Sequence, residues 1–240
     1  MLEDDRILGI CIIADVIASR KADKKEELKK MVSMLNETFK EGLLTDFTVR
    51  SGDEIFGILR KFSDSYRALK EMLRLSDELN VPLYVGLGLG FITNRDITNP
   101  HEVNGPAIWD AADALSMLKK EKNGTHKGVQ IQKTFKFYFY SSGDLPYEAL
   151  NSHLYFLFER VLKRTEKQKE VVEAVENLAD SNKYGEIGER LGYDKFPSTN
   201  VSKILARADF NLVSNAEKSL IKLLNYFQKQ IQSNEDISRD

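Results

Sequence analysis

Sulfur and imidazole are scarce in this chain, which has one cysteine and three histidines in 240 residues. A lone Cys11 rules out a disulfide framework within one chain, and its place in the apolar run Ile7–Ile13 predicts a small buried hydrophobe. His101, His126 and His153 stand in unrelated contexts, so neither a zinc site nor histidine-based nucleophilic catalysis has support. A surplus of one charge is also missing. With 35 basic and 37 acidic residues the formal charge is −2, so any contact with DNA must come from a local patch. Long hydrophobic runs are absent as well. Ile7–Ile13 is too short to span a membrane, follows acidic residues and lacks a small-residue cleavage site, which predicts a cytoplasmic protein with no membrane role.

What is present suits ordinary globular folding, with 42% hydrophobic and 30% charged residues. Arg6–Ile13, rich in Ile and Leu without polar alternation, predicts a central strand that ends at Asp15. Leu28, Met31, Val32, Leu35 and Phe39 recur at helical steps over 24–39, giving one apolar stripe on a charged helix. Asp46–Arg50 and Glu54–Leu59 are β-prone and are joined by the turn-favouring Ser51-Gly52-Asp53. A second helical pattern covers 63–79, an extended segment 83–92, and Gly105-Pro106 opens a third helix to about Lys120. Val129–Ile131 and Phe135–Tyr140 then predict a closing strand or pair.

The order βαββαβ predicts a ferredoxin-like, palm-type α+β domain, an antiparallel sheet with both helices on one face. After Ser141-Ser142-Gly143-Asp144 the β signal gives way to helical periods, which predicts an all-α module. The expected division is 1–142 for the palm, 143–232 for the helices and 233–240 for a polar tail.

Two carboxylates of the first part belong together. Asp15 ends the first strand and Asp53 sits in the hairpin, on strands that neighbour one another in such a sheet. Mg²⁺ or Mn²⁺ favours oxygen ligands, and paired carboxylates with open positions for phosphate oxygens are a common arrangement in phosphoryl transfer. Taken singly, each has a plainer reading, Asp53 as a turn residue and Asp15 as a cap. Ser19 and Arg20 follow closely, a hydroxyl and a guanidinium suited to phosphate oxygens. Gly86, Gly88 and Gly90 share one strand face and permit close approach by a helix or a ligand. Trp109, the sole tryptophan, is suited to stacking on a base, although its Ala-rich helix points to packing.

Arg50–Leu59, with Ser51-Gly52-Asp53-Glu54 at its head, resembles the signature hairpin of GGDEF diguanylate cyclases and class III nucleotide cyclases. Together with Ala14–Arg20, Val85–Gly90 and Gly105–Leu115, in that order and spacing, it is similar to the SatD family, bacterial proteins that combine such a palm with a helical C-terminal part. The resemblance implies metal binding by Asp15 and Asp53, with Glu54 as an additional ligand and Gly52 beside a bound nucleotide. It also implies a homodimer, since active cyclases commonly assemble their site across two chains. Where class III cyclases carry an Asn and a transition-state Arg, this chain has Trp109 and Asp113. An aspartate cannot neutralise charge developing on phosphate, which argues against ordinary cyclase turnover.

In the second part, 184–192 and 198–208 read as helix, turn and helix, with Ile187, Leu191, Val201 and Leu205 between them and Ser198 or Thr199 as cap. This resembles the helix-turn-helix of bacterial regulators, preceded by a helix starting at Thr165-Glu166-Lys167-Gln168. Thr199, Asn200, Ser202, Lys203 and Arg207 are the side chains expected at double-stranded DNA. The preferred expectation is a regulatory protein whose palm binds a nucleoside triphosphate with its metal and whose helical module contacts DNA or a partner. An active nucleotidyl cyclase or nucleotidyltransferase using Asp15 and Asp53, and a non-catalytic structural adaptor, are the alternatives.

Overall fold

The computed structural model describes residues 6–17, 24–93, 97–120, 129–177 and 183–239. The chain divides into two compact units, one formed by Met1–His153 with Ile221–Asp240 and the other by Leu154–Leu220. Helix α4 (Tyr147–Leu162) and helix α8 (Phe210–Arg239) each contribute residues to both units. The boundary expected at 142/143 therefore moves into α4. The segment 233–240, expected as a tail, continues α8 as far as Arg239.

The first unit is built from β1 (Arg6–Val16), α1 (Lys25–Phe39), β2 (Leu43–Arg50), β3 (Glu54–Leu59), α2 (Asp64–Glu78), β4 (Leu83–Thr93), α3 (Pro106–Lys120), β5 (Val129–Gln132) and β6 (Phe135–Tyr140). The six strands are ordered β2-β3-β1-β4-β6-β5. Neighbours among β2, β3, β1 and β4 are antiparallel. The closing pair departs from an all-antiparallel sheet, because β6 lies parallel to β4. The chain leaves β4 through α3 into β5, which runs antiparallel to β6, and the reversal between β5 and β6 turns it back into the direction of β4.

Alternation along the strands separates the two faces of the sheet. On one face Cys11, Ile13, Phe56 and Ile58 form a core with Ala107, Ala111 and Leu115 of α3. This approach depends on glycine: a Cβ on Gly88 would collide with the Ala107 carbonyl oxygen, and one on Gly86 with that of Ala111. The glycine stripe therefore admits a helix. The opposite parity, including Ile10, Ile12, Val85, Leu87, Phe137 and Phe139, is equally buried. The apolar stripes of α1 and α2, helices in contact with each other, accompany it.

The end of α8 belongs to the same unit, where Gln228 accepts from the Phe62 amide at 3.0 Å and donates to the Arg60 carbonyl at 3.0 Å.

In the second unit, α5 (Glu166–Glu176), α6 (Tyr184–Arg190) and α7 (Pro197–Arg207) share a small core of Val171, Val172, Val175, Ile187, Val201 and Leu205, with Leu191 partly buried against it. Thr165 opens α5 with a capping box to Gln168. The start of α7 differs from expectation. Its cap is Phe196 in the left-handed region with Pro197 in the first turn, so neither Ser198 nor Thr199 caps it. Gly188 sets the spacing here, because a Cβ would come within 2.6 Å of Pro197 Cβ.

Candidate functional site

At one end of the sheet the last residues of β1, the β2–β3 hairpin and the first residues of β4 come together. Asp15 is the register partner of Glu54 in β3 and of Tyr84 in β4. The hairpin turns through Ser51 and Gly52, both at positive φ (52° and 89°), and Gly52 faces open space. The Asp53 carbonyl accepts from the Val16 amide at 3.3 Å, which fastens the hairpin tip to the end of β1. The backbone thus carries Asp15, Asp53 and Glu54 to one place.

A further charge arrives from α3. Lys119, in its last turn, places Nζ 2.6 Å from Asp15 Oδ2, and the Asp15 side chain is 16% exposed. Burial pushes the Glu54 carboxyl above its ordinary range. The Arg50 guanidinium opposes that rise, Asp15 and Asp53 add to it, and Lys119 again opposes it. Glu54 thus sits among four charged neighbours, two of each sign. Arg50, the register partner of Glu54 in β2, lies with its guanidinium 3.2 Å from the Phe56 ring centre, and its buried Nε has no hydrogen-bond partner. Next to Asp15, the Tyr84 ring lies 5.8 Å from Lys136 Nζ.

The donors at this end are carboxylate oxygens, the ligand type that hard divalent cations take, and the Lys119 ammonium already stands beside one of them as a cation. Among the described residues no group of three or more His, Cys, Asp or Glu side chains is drawn together tightly enough to share one ion. The fit is thus to a cation held by one or two protein carboxylates, with its other positions open. Cys11 does not join this chemistry, as complete burial pushes its thiol up and out of the reactive range.

The other expected residues fall elsewhere. Ser19, Arg20 and His126 lie outside the described residues. Trp109 is 57% exposed and donates from Nε1 to Asn104 Oδ1 at 2.7 Å, so it is not a core residue. Asp113 is exposed on the same helix. Asp110, which no motif singled out, is buried on α3, and its carboxylate accepts from the Ser142 amide at 3.2 Å. Burial raises the Asp110 carboxyl, and the bond from Ser142 partly offsets that.

On α7, Thr199, Ser202, Lys203 and Arg207 are exposed. Asn200 is not free for a base, because its side chain donates to the Lys195 carbonyl at 2.8 Å. Lys119 and Arg50 were missed as partners of the carboxylates. The only signal for Lys119 was a basic residue in the last turn of a helix, and for Arg50 its place directly before the hairpin.

The first unit is thus a mixed α+β sheet with a charged end, and the second is all helical. The family model described as the SatD family matches residues 9–141, and the chain belongs to that family. The match covers β1 through β6. No curated protein matches the chain. Among solved structures, a bacterial light-regulated adenylyl cyclase is similar at TM-score 0.37 and 16% identity, over 50% of this chain and 42% of that one. The catalytic core of a rhodopsin-guanylyl cyclase with converted specificity, in complex with ATPalphaS, is similar at TM-score 0.34 and 19% identity, over 48% and 76%. The guanylyl cyclase Cya2 is similar at 0.31 and 12%, over 48% and 72%. The chain thus spans less than half the length of the first of these. Among the described residues no helix is long and apolar enough to cross a membrane.

Proposed function

We propose that the charged end of the sheet binds a nucleoside triphosphate together with Mg²⁺ or Mn²⁺, and that the chain serves a regulatory role through this binding rather than as a cyclase. On this reading β2-β3-β1-β4 serves as a ferredoxin-like palm. The observation that carries the proposal is the meeting of Asp15, Asp53 and Glu54 at one sheet end with a lysine ammonium in ion pair with Asp15. Asp15 and Asp53 would hold the cation, with Glu54 beside them as a neighbouring charge rather than a third ligand. The cation would supply charge neutralisation for the phosphates. Lys119, when displaced from Asp15, remains beside the site as a donor to a phosphate oxygen. Trp109 and Asp113 at the Asn and Arg positions of class III cyclases speak against turnover. The test is cation-dependent nucleotide binding that Asp15→Asn and Asp53→Asn each abolish.

For the helical unit, the proposed helix-turn-helix is α6 with α7, and its partner is double-stranded DNA. The exposed polar face of α7, with Thr199, Ser202 and Lys203 turned away from the valine core, supports it. Binding to a duplex should weaken with added salt and weaken further on Lys203→Ala, measured by fluorescence anisotropy. A duplex affinity that ignores both would remove this role.

A further inference from the structure

The helical unit contains a cavity of about 260 Å³ whose lining includes Arg160, Lys163, Arg164 and Arg207. These four cations share it with two carboxylates, Glu159 and Asp209. Both carboxylates are already engaged, Glu159 by Lys163 at 2.8 Å and Asp209 by Arg160 at 2.6 Å. Among the described residues neither Arg164 nor Arg207 has a carboxylate of its own.

Arg164 is the informative member of the set. It is 8% exposed, and its Nε donates to the Ala208 carbonyl at 3.2 Å, closing the C-terminal end of α7. Capping accounts for that one donor and no more. Its Nη2 is buried and has no hydrogen-bond partner. An unanswered guanidinium nitrogen in a buried position is costly, and because Arg164 lines the cavity a small shift of its guanidinium toward an acceptor held there would relieve it.

We infer that this cavity binds a small phosphate-bearing anion, inorganic phosphate or a phosphomonoester, between the guanidinium groups of Arg164 and Arg207. Planar guanidinium donors match phosphate oxygens in pairs, and among the described residues these two form no ion pair with the carboxylates that share the cavity. Burial of the inner donor favours a compact anion over the backbone of a duplex, which is met by exposed cations. The site is separate from the charged sheet end and does not depend on the nucleotide proposed there.

Calorimetric titration of the full chain with inorganic phosphate, in chloride buffer of constant ionic strength, tests this. Saturable binding is expected in the wild type, weakened about tenfold by Arg207→Gln and by Arg164→Lys. Lys218→Gln, which removes an exposed charge elsewhere in the unit, should leave it unchanged. Arg207→Gln alters an exposed side chain and carries the test even where an Arg164 variant fails to fold. Absence of saturable phosphate binding, or binding that Arg207→Gln leaves intact, would overturn the proposal. A random-sequence duplex that binds through Arg207 while inorganic phosphate does not bind would assign the cavity to nucleic acid and overturn it equally.

Discussion

The charged end of the sheet and the cavity of the helical unit differ in sign and in how far the chain answers its own charges. At the sheet end the carboxylates prevail, yet Lys119 holds Asp15 and the Arg50 guanidinium tempers Glu54. In the cavity guanidinium groups prevail, and a buried nitrogen of Arg164 meets nothing. On the proposed function, a cation at the first site competes with the Lys119 ammonium for Asp15. An anion reaching the second displaces no partner of Arg164 Nη2.

That contrast can be broken at Lys119. Replacing Lys119 by Met frees Asp15 of its internal counter-charge, and Mn²⁺ affinity read by electron paramagnetic resonance should rise about fivefold, as expected for removing a partly exposed ion pair worth about 1 kcal/mol. A fall in affinity would mean that Lys119 supports the cation site rather than competing with it, and the contrast would fail.

A smaller effect sharpens it at Glu54. Burial holds the Glu54 carboxyl above its ordinary value, so the protonated form is favoured by folding. That contribution is complete below the ordinary carboxyl range and is lost as pH rises through the raised value. Glu54→Gln, which imitates the protonated form, should therefore raise the melting temperature on the order of 1 °C at neutral pH and lose that gain in acid. A lower melting temperature at neutral pH would show that the attraction of Arg50 outweighs burial.

The helices and strands of the first unit were legible because apolar period and turn residues agree along 6–140. The meeting of Asp15 with the hairpin was legible too, as Asp53 and Glu54 follow a turn that any sheet of this order brings beside β1. Lys119 was not, because its reach depends on how closely α3 settles on Gly86 and Gly88 and so on the register of helix against strand. The parallel pairing of β6 was hidden for a related reason, since residue pattern does not fix strand direction. The left-handed Phe196 starts α7 where small polar residues two and three positions later had suggested a cap. Arg164 had no local signal at all. Its environment comes from the end of α7, 44 positions away, and no spacing within α4 or α5 announces that.

The central claim is that the sheet end is a cation–nucleotide site, and thermal unfolding of the full chain with Mg²⁺ and each nucleoside triphosphate tests it most directly. At one hundred times the dissociation constant a ligand stabilises by about 2.7 kcal/mol, so the wild type should melt several degrees higher with one nucleotide plus Mg²⁺, while Asp53→Asn should not respond. No shift with any triphosphate, or an equal shift in Asp53→Asn, would contradict the account.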